Sequence, residues 1–207
     1  MHSIIRVGEL RVGWSRDRRM NPRRMPIHAR FRAFVLEEPR QCWCLPTMSK
    51  HSETPATTVL KRHGITYSEH IYEYIEHGGT SVSSSSLGVD EHHVVKTLIF
   101  EDDKRQPLCV LMHGDRKVST KELARQMGAK RVAPCKPEDA TRHSGYQVGG
   151  CSPFGLKKPM PVYMEESILA CERILINGGK RGFLVGLSPQ DVLRVAKTKL
   201  INAALVE

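Results

Sequence analysis

Two glycine-rich loops, each followed by basic residues, are the parts of this 207-residue chain best suited to bind a ligand. The first, residues 145–158, reads GYQVGGCSPFGLKK, and the second, residues 177–182, reads NGGKRG. Glycine lets the backbone approach a ligand closely, and proline stiffens the loop around it. Because rigid loops with exposed N–H groups suit carbonyl, carboxylate and phosphate oxygens, the two loops predict one site for an anionic, carbonyl-bearing substrate.

Cys151 is the candidate nucleophile within the first loop. A thiol attacks at neutral pH only when a paired histidine or a helix N-terminus lowers its pKa. The nearest histidine in the sequence, His143, lies across a predicted helix end. A free cysteine more often packs as a small apolar residue, so we favour a packing role for Cys151.

Lys96 and Thr97 form a polar pair inside the apolar run 94–100. Two interpretations stay open: a solvated strand face, or a site in which Lys96 contacts a phosphate or carbonyl and Thr97 donates from its hydroxyl. The adjacent pair His92-His93 suits a solvated turn better than a metal site, because neighbouring side chains diverge on helices and strands. The sequence contains neither a dinucleotide-binding Gly-x-Gly-x-x-Gly motif nor a P-loop.

Helix and strand signals mix along the chain without strict alternation. Capping residues and glycine stops predict helices over 55–63, 81–87, 120–127, 137–144 and from 189, the last with Val192, Val195, Ala196 and Leu200 on its apolar face. Apolar runs predict strands over 66–74, 94–100, 108–113, 162–164, 173–176 and 183–187. Hairpin spacing between the strands favours an α+β fold with a mixed, largely antiparallel sheet over a doubly wound fold.

The positive charge is concentrated near the N-terminus. Of the formal net charge of +10, residues 1–47 contribute +6, with ten arginines, no lysine and four acids. We expect this extension to be a mis-assigned start or disordered, with the native protein beginning at Met48. A targeting peptide and a basic nucleic-acid-binding arm stay open as further interpretations. Six cysteines without a repeating spacing indicate reduced thiols in a cytoplasmic protein, and no apolar run approaches the roughly 18–20 residues of a membrane span.

From about Met48 to the C-terminus the sequence resembles the YbaK family, free-standing aminoacyl-tRNA deacylases of the prolyl-tRNA synthetase editing-domain superfamily. The resemblance rests on residues 95–98 (VKTL), 145–158 and 178–182 (GGKRG). It implies one editing domain over 48–207, a mixed sheet partly closed like a barrel, and surrounding helices. The implied activity is trans-editing, which is hydrolysis of the ester that joins a wrong amino acid to tRNA(Pro), with Cys-tRNA(Pro) as the first candidate.

The resemblance also assigns roles to residues. The implied catalytic residues are Lys96, Gly149 and Gly150. The implied substrate contacts are Tyr72, Thr80, Thr97, Ser152, Pro153, Asn177, Gly178, Gly179 and Leu184, and the implied tRNA contacts are Lys157, Lys158, Lys180 and Arg181. Family members use no protein nucleophile: the thiol of a cysteine substrate, or a bound water, attacks the ester. No cofactor or metal is expected, and the expected partners are mischarged tRNA(Pro) and prolyl-tRNA synthetase.

Two residues depart from the family pattern. Asn177 stands where close members carry a small hydroxyl residue, and Leu184 stands where they carry an acid. Both departures leave alanine, serine or threonine open as the amino acid removed. The sequence is also compatible with a non-catalytic binding module of the same fold and with a hydrolase that uses the Cys151 thiol, and it leaves the oligomeric state open.

Overall fold

A computed structural model describes residues 53–205 of the chain. The predictions for residues 1–47 and for a start at Met48 lie outside this range. Five helices lie within it: α1 Pro55–Arg62, α2 Gly79–Leu87, α3 Thr120–Met127, α4 Pro137–Ser144 and α5 Pro189–Val195. The strands are β1 Ser68–Ile71, β2 Val94–Asp102, β3 Pro107–His113, β4 Lys117–Val118, β5 Val132–Pro134, β6 Val162–Glu165, β7 Ile174–Lys180, β8 Phe183–Leu187, β9 Lys199–Ile201 and β10 Ala204–Leu205.

The strands form one mixed sheet and a small separate pair. The main sheet follows the order β1-β8-β7-β2-β3-β6-β9, with β5 pairing beside β2, and β10 pairs with β4 separately. Pairing is antiparallel for β1–β8, β7–β8, β2–β3 and β2–β5, and parallel for β2–β7, β3–β6 and β6–β9. The α+β prediction is therefore confirmed. Among residues 53–205 the end strands β1 and β9 do not pair with each other, so partial barrel closure stays a prediction.

Local signals explain where several helices begin and end. Thr54 caps α1: its hydroxyl accepts from the Thr57 N–H, and the Thr57 hydroxyl accepts from the Thr54 N–H. Ser119 and Ser188 cap α3 and α5 with one bond each, their hydroxyls accepting from the N–H groups of Glu122 and Asp191. Gly128 follows α3 with φ of 72°, a left-handed conformation that glycine adopts at little cost.

The core lies on both sides of β2 and β3. Successive side chains of a strand point to opposite faces. Val95 and Ile99 of β2 accordingly pack into a large cluster with Ile176 and Val185, whereas Phe100 packs into a smaller cluster against α3. By the same alternation Lys96 and Thr97 project from opposite faces of β2.

Three sequence predictions are wrong in their extent. The strand expected over 173–176 runs over Ile174–Lys180, so most of the second glycine loop belongs to β7, with an irregularity in the pairing between Asn177 and Lys180. The strand expected over 66–74 ends at Ile71, which pairs with Phe183, the first residue of β8. The Tyr72 N–H still donates to the Gly182 carbonyl at 3.0 Å, and the chain then leaves the sheet. Leu200, expected on the apolar face of the last helix, lies in β9, because α5 ends at Val195 and Lys197 takes a left-handed φ of 50°. Within residues 53–205, no helix combines the length and apolar character needed to cross a bilayer.

Candidate active site

A break in the pairing of the sheet opens the candidate site. One edge of β2 pairs with β7 at Val94 and Val95, and the pairing of β2 with β5 begins only at Phe100. Between these points Lys96, Thr97 and Leu98 border a cavity of about 530 Å³. That size is typical of small-molecule sites.

The cavity gathers residues from distant parts of the sequence. The predicted site residues that line it are Tyr72, Thr80, Lys96, Thr97, Gly149, Asn177, Arg181 and Leu184. They come from the chain after β1, from α2, β2, the first glycine loop, β7, the β7–β8 turn and β8. The structure thus places the two loops and the Lys96-Thr97 pair around one space.

Lys96 is held at its charged end. Its Nζ donates to the carbonyl oxygen of Arg116 at 2.6 Å, in the turn after β3. The ammonium carries its charge on a flexible stem, and this bond fixes the stem at the cavity wall. Thr97, the next residue, has a buried hydroxyl with no hydrogen-bond partner among the described residues. Leaving a buried hydroxyl without a hydrogen-bond partner costs free energy, and a ligand that bonds to it removes that cost.

Asn177 joins the two glycine loops. Its side-chain Nδ2 donates to the Gly149 carbonyl at 3.0 Å, and its Oδ1 accepts from the Gly179 N–H at 2.8 Å. The amide carries its donor and its acceptor on two separate atoms of a longer side chain, whereas a small hydroxyl side chain would have to make both bonds from one oxygen. The departure from the family pattern at this position therefore has a structural role, which is to fix the distance between the loops.

The glycines permit close approach between the loops and their neighbours. Gly149 has φ of 85°, and a Cβ there would lie 2.7 Å from the Tyr74 hydroxyl. A Cβ at Gly178 would lie 2.5 Å from the Phe183 ring, and one at Gly179 would lie 2.9 Å from the Tyr146 ring. The Thr54 hydroxyl also holds the second loop in place by donating to the Gly178 carbonyl at 2.6 Å.

Arg181 closes one side of the cavity. Its Nε donates to the Val148 carbonyl at 2.8 Å, and its guanidinium lies 4.9 Å from the centre of the Tyr74 ring. This stacking leaves the outer face of the exposed guanidinium toward solvent at the rim. A cation at the mouth of a cavity suits an approaching phosphate.

Several predicted contacts lie behind or beside the cavity wall. Ser152, Pro153 and Gly178 are buried, Gly179 is partly buried, and none of the four lines the cavity. Gly150 is also buried, and its N–H donates to the Gln147 carbonyl at 2.9 Å, so this donor is already used within the loop. Lys157, Lys158 and Lys180 are exposed and do not line the cavity.

Cys151 lines the cavity but is poorly suited to attack. Burial raises the pKa of its thiol to about 11. The thiolate is the nucleophilic form, and at neutral pH almost all of this thiol is protonated. Cys151 also packs against the large core cluster, which agrees with the packing role favoured from the sequence.

The cavity is also lined by Tyr74, Glu76, His77 and Ser83, which were not expected from the sequence, and by Val148 of the first glycine loop. Tyr74 had a usable signal, because its spacing of two from Tyr72 puts both rings on one side of an extended segment. Glu76, His77 and Ser83 carry no pattern that distinguishes them from other loop and helix residues.

His92 lies close to two further potential metal ligands that are distant from it in the sequence. Ligand atoms of His92, His113 and Cys171 lie within 4.8 Å of one another. The rings of His92 and His113, however, stack at 3.7 Å with an angle of 13° between them. A metal ion lies about 2.1 Å from each bound nitrogen and near the plane of its ring, and two nearly parallel rings share no such point. The arrangement stacks the rings and does not form a ready metal site.

Comparison with known proteins places the chain among editing proteins. The family model described as the aminoacyl-tRNA editing domain matches residues 79–195. A protein of Enterococcus faecalis, named provisionally as the Cys-tRNA(Pro)/Cys-tRNA(Cys) deacylase EbsC, is 31% identical over 142 residues, 68% of this chain and 87% of that protein. A proline–tRNA ligase of Nitratidesulfovibrio vulgaris is 28% identical over 124 residues, 60% of this chain and 20% of the ligase.

Solved structures share the fold. The crystal structure of the hypothetical protein APE2540 superimposes with a TM-score of 0.68 at 20% identity, covering 73% of this chain and 100% of the other. A protein described provisionally as a trans-editing enzyme for prolyl-tRNA synthetase gives 0.65 at 19% identity, covering 75% of this chain and 100% of the other. At these identities the likeness concerns the fold alone.

Proposed function

Because the chain belongs to the aminoacyl-tRNA editing domain family, and is thereby an aminoacyl-tRNA deacylase, we propose that it hydrolyses mischarged tRNA(Pro) in trans, with Cys-tRNA(Pro) as its principal substrate. The observation that carries this proposal is the meeting of Lys96, Gly149 and Asn177 at one cavity. The E. faecalis relative, which bears the provisional name of a Cys-tRNA(Pro)/Cys-tRNA(Cys) deacylase, supports cysteine as the amino acid removed.

In this proposal the cavity holds the aminoacyl end of the tRNA. Lys96 contacts the 3′ end beside the scissile ester, where its charge stabilises the oxygen that becomes negative during attack. Gly149 brings backbone close to the aminoacyl group, and Gly150 supports it by allowing the β7–β8 turn to approach, since a Cβ at Gly150 would lie 3.0 Å from the Arg181 nitrogen. Tyr72, Thr80, Thr97 and Leu184 form the walls around the amino acid.

The attacking group in the proposal belongs to the substrate. The sulfur of cysteinyl-tRNA attacks its own carbonyl carbon, a carbon–sulfur bond forms, and the ester carbon–oxygen bond breaks. The thiol proton ends on the released ribose hydroxyl, and water later opens the thiolactone. The raised pKa of the Cys151 thiol, about 11, supports a mechanism without a protein nucleophile.

The residues behind the wall take supporting roles. Ser152, Pro153, Gly178 and Gly179 shape the loops and do not need to touch the substrate directly. Lys157, Lys158, Lys180 and Arg181 supply positive charge for phosphates farther along the acceptor stem. Because the remaining charge of residues 48–207 is modest, we propose that prolyl-tRNA synthetase contributes to the choice of tRNA. The fold and family fit a cytoplasmic protein of translation.

The decisive experiment is a deacylation panel with the full chain. Cysteinyl-, alanyl-, seryl- and threonyl-tRNA are incubated with enzyme, with and without prolyl-tRNA synthetase, and loss of the ester is followed. We expect Cys-tRNA(Pro) to lose its amino acid fastest. Faster loss of alanine, serine or threonine would assign the sister specificity, and spontaneous rates throughout would make the protein a binding module.

A further inference from the structure

The turn formed by residues 114–116, which follows β3, contacts both Lys96 and Thr80 of the candidate site. The Arg116 carbonyl accepts from the Lys96 ammonium at 2.6 Å, and the Gly114 carbonyl accepts from the Thr80 hydroxyl at 3.2 Å. A charge-assisted hydrogen bond is among the stronger protein hydrogen bonds. The position of this turn therefore sets where the Lys96 ammonium stands at the cavity wall.

The turn is itself pressed against the short 3-10 helix Glu91–His93 that leads into β2. A Cβ at Gly114 would lie 2.5 Å from the Glu91 carbonyl oxygen and 2.9 Å from the Val94 carbonyl oxygen. Both are backbone atoms, so a side chain at this position forces the turn to move. The Glu91 carboxylate accepts from the same Thr80 hydroxyl at 2.6 Å, so the single hydroxyl proton is shared between Glu91 and the Gly114 carbonyl.

A side-chain pair ties the turn to the same helix. Both carboxylate oxygens of Asp115 lie 3.0 Å from Nδ1 of His92. The ring of His92 stacks on His113, and Nδ1 of His113 donates to the His92 carbonyl at 2.6 Å. Since β2 begins directly after this helix, the pair links the strand that carries Lys96 to the turn that holds its charged end.

We propose that Gly114 and Asp115 are positioning residues for Lys96. They act through the turn, and neither lines the cavity. The proposal rests on the proposed function in assigning Lys96 to the reaction. Its geometric part, that the turn fixes the Lys96 ammonium, is independent of what the enzyme hydrolyses.

The test uses chemical labelling of lysines together with kinetics. Full-length wild type, Gly114→Ala, Asp115→Ala and Asp115→Asn are treated briefly with acetic anhydride, and mass spectrometry gives the acetylation rate of Lys96 relative to exposed Lys121. Asp103→Ala is the matched control, because Asp103 lies in the turn at the opposite end of the β2–β3 pair and accepts from the Lys130 N–H. Circular dichroism checks that each variant is folded.

We expect Lys96 to react several-fold faster in Gly114→Ala and Asp115→Ala, with the Lys121 rate unchanged. The deacylation kcat should fall about 100-fold in Gly114→Ala, the loss typical of a reacting group displaced by about 1 Å, with a smaller loss in Asp115→Ala and little change in KM. Asp115→Asn keeps an oxygen for the His92 Nδ1–H and should recover part of the loss.

The labelling rates test the positioning turn, and the deacylation rates test the proposed function. Unchanged Lys96 labelling in folded Gly114→Ala and Asp115→Ala would overturn the proposal, as would an equal rise in Asp103→Ala. If the wild type deacylated no charged tRNA, the proposed function would fail, while faster Lys96 labelling would still establish the positioning turn. If Gly114→Ala does not fold, the Asp115 pair of variants decides alone.

Discussion

Replacing Asn177 with alanine should loosen the connection between the two glycine loops. The side chain, only 8% exposed, makes one bond to the Gly149 carbonyl and one to the Gly179 N–H. Gly149 is exposed, so water can replace the first partner, and that loss costs about 1 kcal/mol. Gly179 is less accessible, and an unpaired N–H there costs about 1–2 kcal/mol. We therefore expect a total destabilisation of about 2–3 kcal/mol.

Urea unfolding of wild type, Asn177→Ala and Asn177→Asp measures this effect. Asn177→Asp keeps the acceptor for Gly179 but sets a carboxylate against the Gly149 carbonyl, so it should lose the loop connection as well. The deacylation rate of both variants should fall even under conditions in which they remain folded, because the spacing of the loops shapes the cavity. A destabilisation below about 0.5 kcal/mol in Asn177→Ala, with normal activity, would refute this reasoning.

Three further predictions concern single residues. Cys151→Val should keep wild-type deacylation at neutral pH, because the Cys151 thiol has a pKa of about 11 and is protonated there; loss of activity in a folded variant would favour a thiol nucleophile. Gly179→Ala should lower the free energy of unfolding in urea by about 2–5 kcal/mol, because the residue has a left-handed φ of 93° and a Cβ there would contact the buried Tyr146 ring. Gly128→Ala should lower it by only about 1–2 kcal/mol, because Gly128 has φ of 72° but open space around it. Equal losses in the two variants would contradict the packing argument. Burial lowers the pKa of His113, so the folded state binds fewer protons than the unfolded state, and stability should fall as pH drops below about 6.5. His113→Gln should make that fall shallower, by at most about 1.4 kcal/mol per pH unit, and an unchanged slope between about pH 7.5 and 5.5 would count against it.

Local patterns in the sequence were enough to predict most elements and the family. The Thr54 cap, the stops at Gly128 and Gly145, and the apolar run at 94–100 all mark elements that the structure contains. These signals act within a few residues of one another. The resemblance to the YbaK family is confirmed by the matching family model.

The connections that shape the site could not be predicted, because they join residues far apart in the sequence. Lys96 meets the Arg116 carbonyl 20 residues away, and Asn177 meets Gly149 across 28 residues. The gap along β2 between its pairing with β7 and its pairing with β5 depends on which strands meet in the folded sheet. The hydrophobic periodicity of the sequence does not encode that choice. Backbone acceptors such as the Arg116 carbonyl have no residue-type signature, so the turn that holds Lys96 was not visible in the sequence.

We propose that this chain removes cysteine from tRNA(Pro) with the help of Lys96. The most direct measurement is single-turnover hydrolysis of Cys-tRNA(Pro) by wild type, Lys96→Ala and Lys104→Ala, the last an exposed lysine at the other end of β2. We predict rapid hydrolysis by wild type and Lys104→Ala, and a loss of about 100-fold or more in folded Lys96→Ala. Hydrolysis at the spontaneous rate by wild type, or wild-type turnover by Lys96→Ala, would contradict the claim.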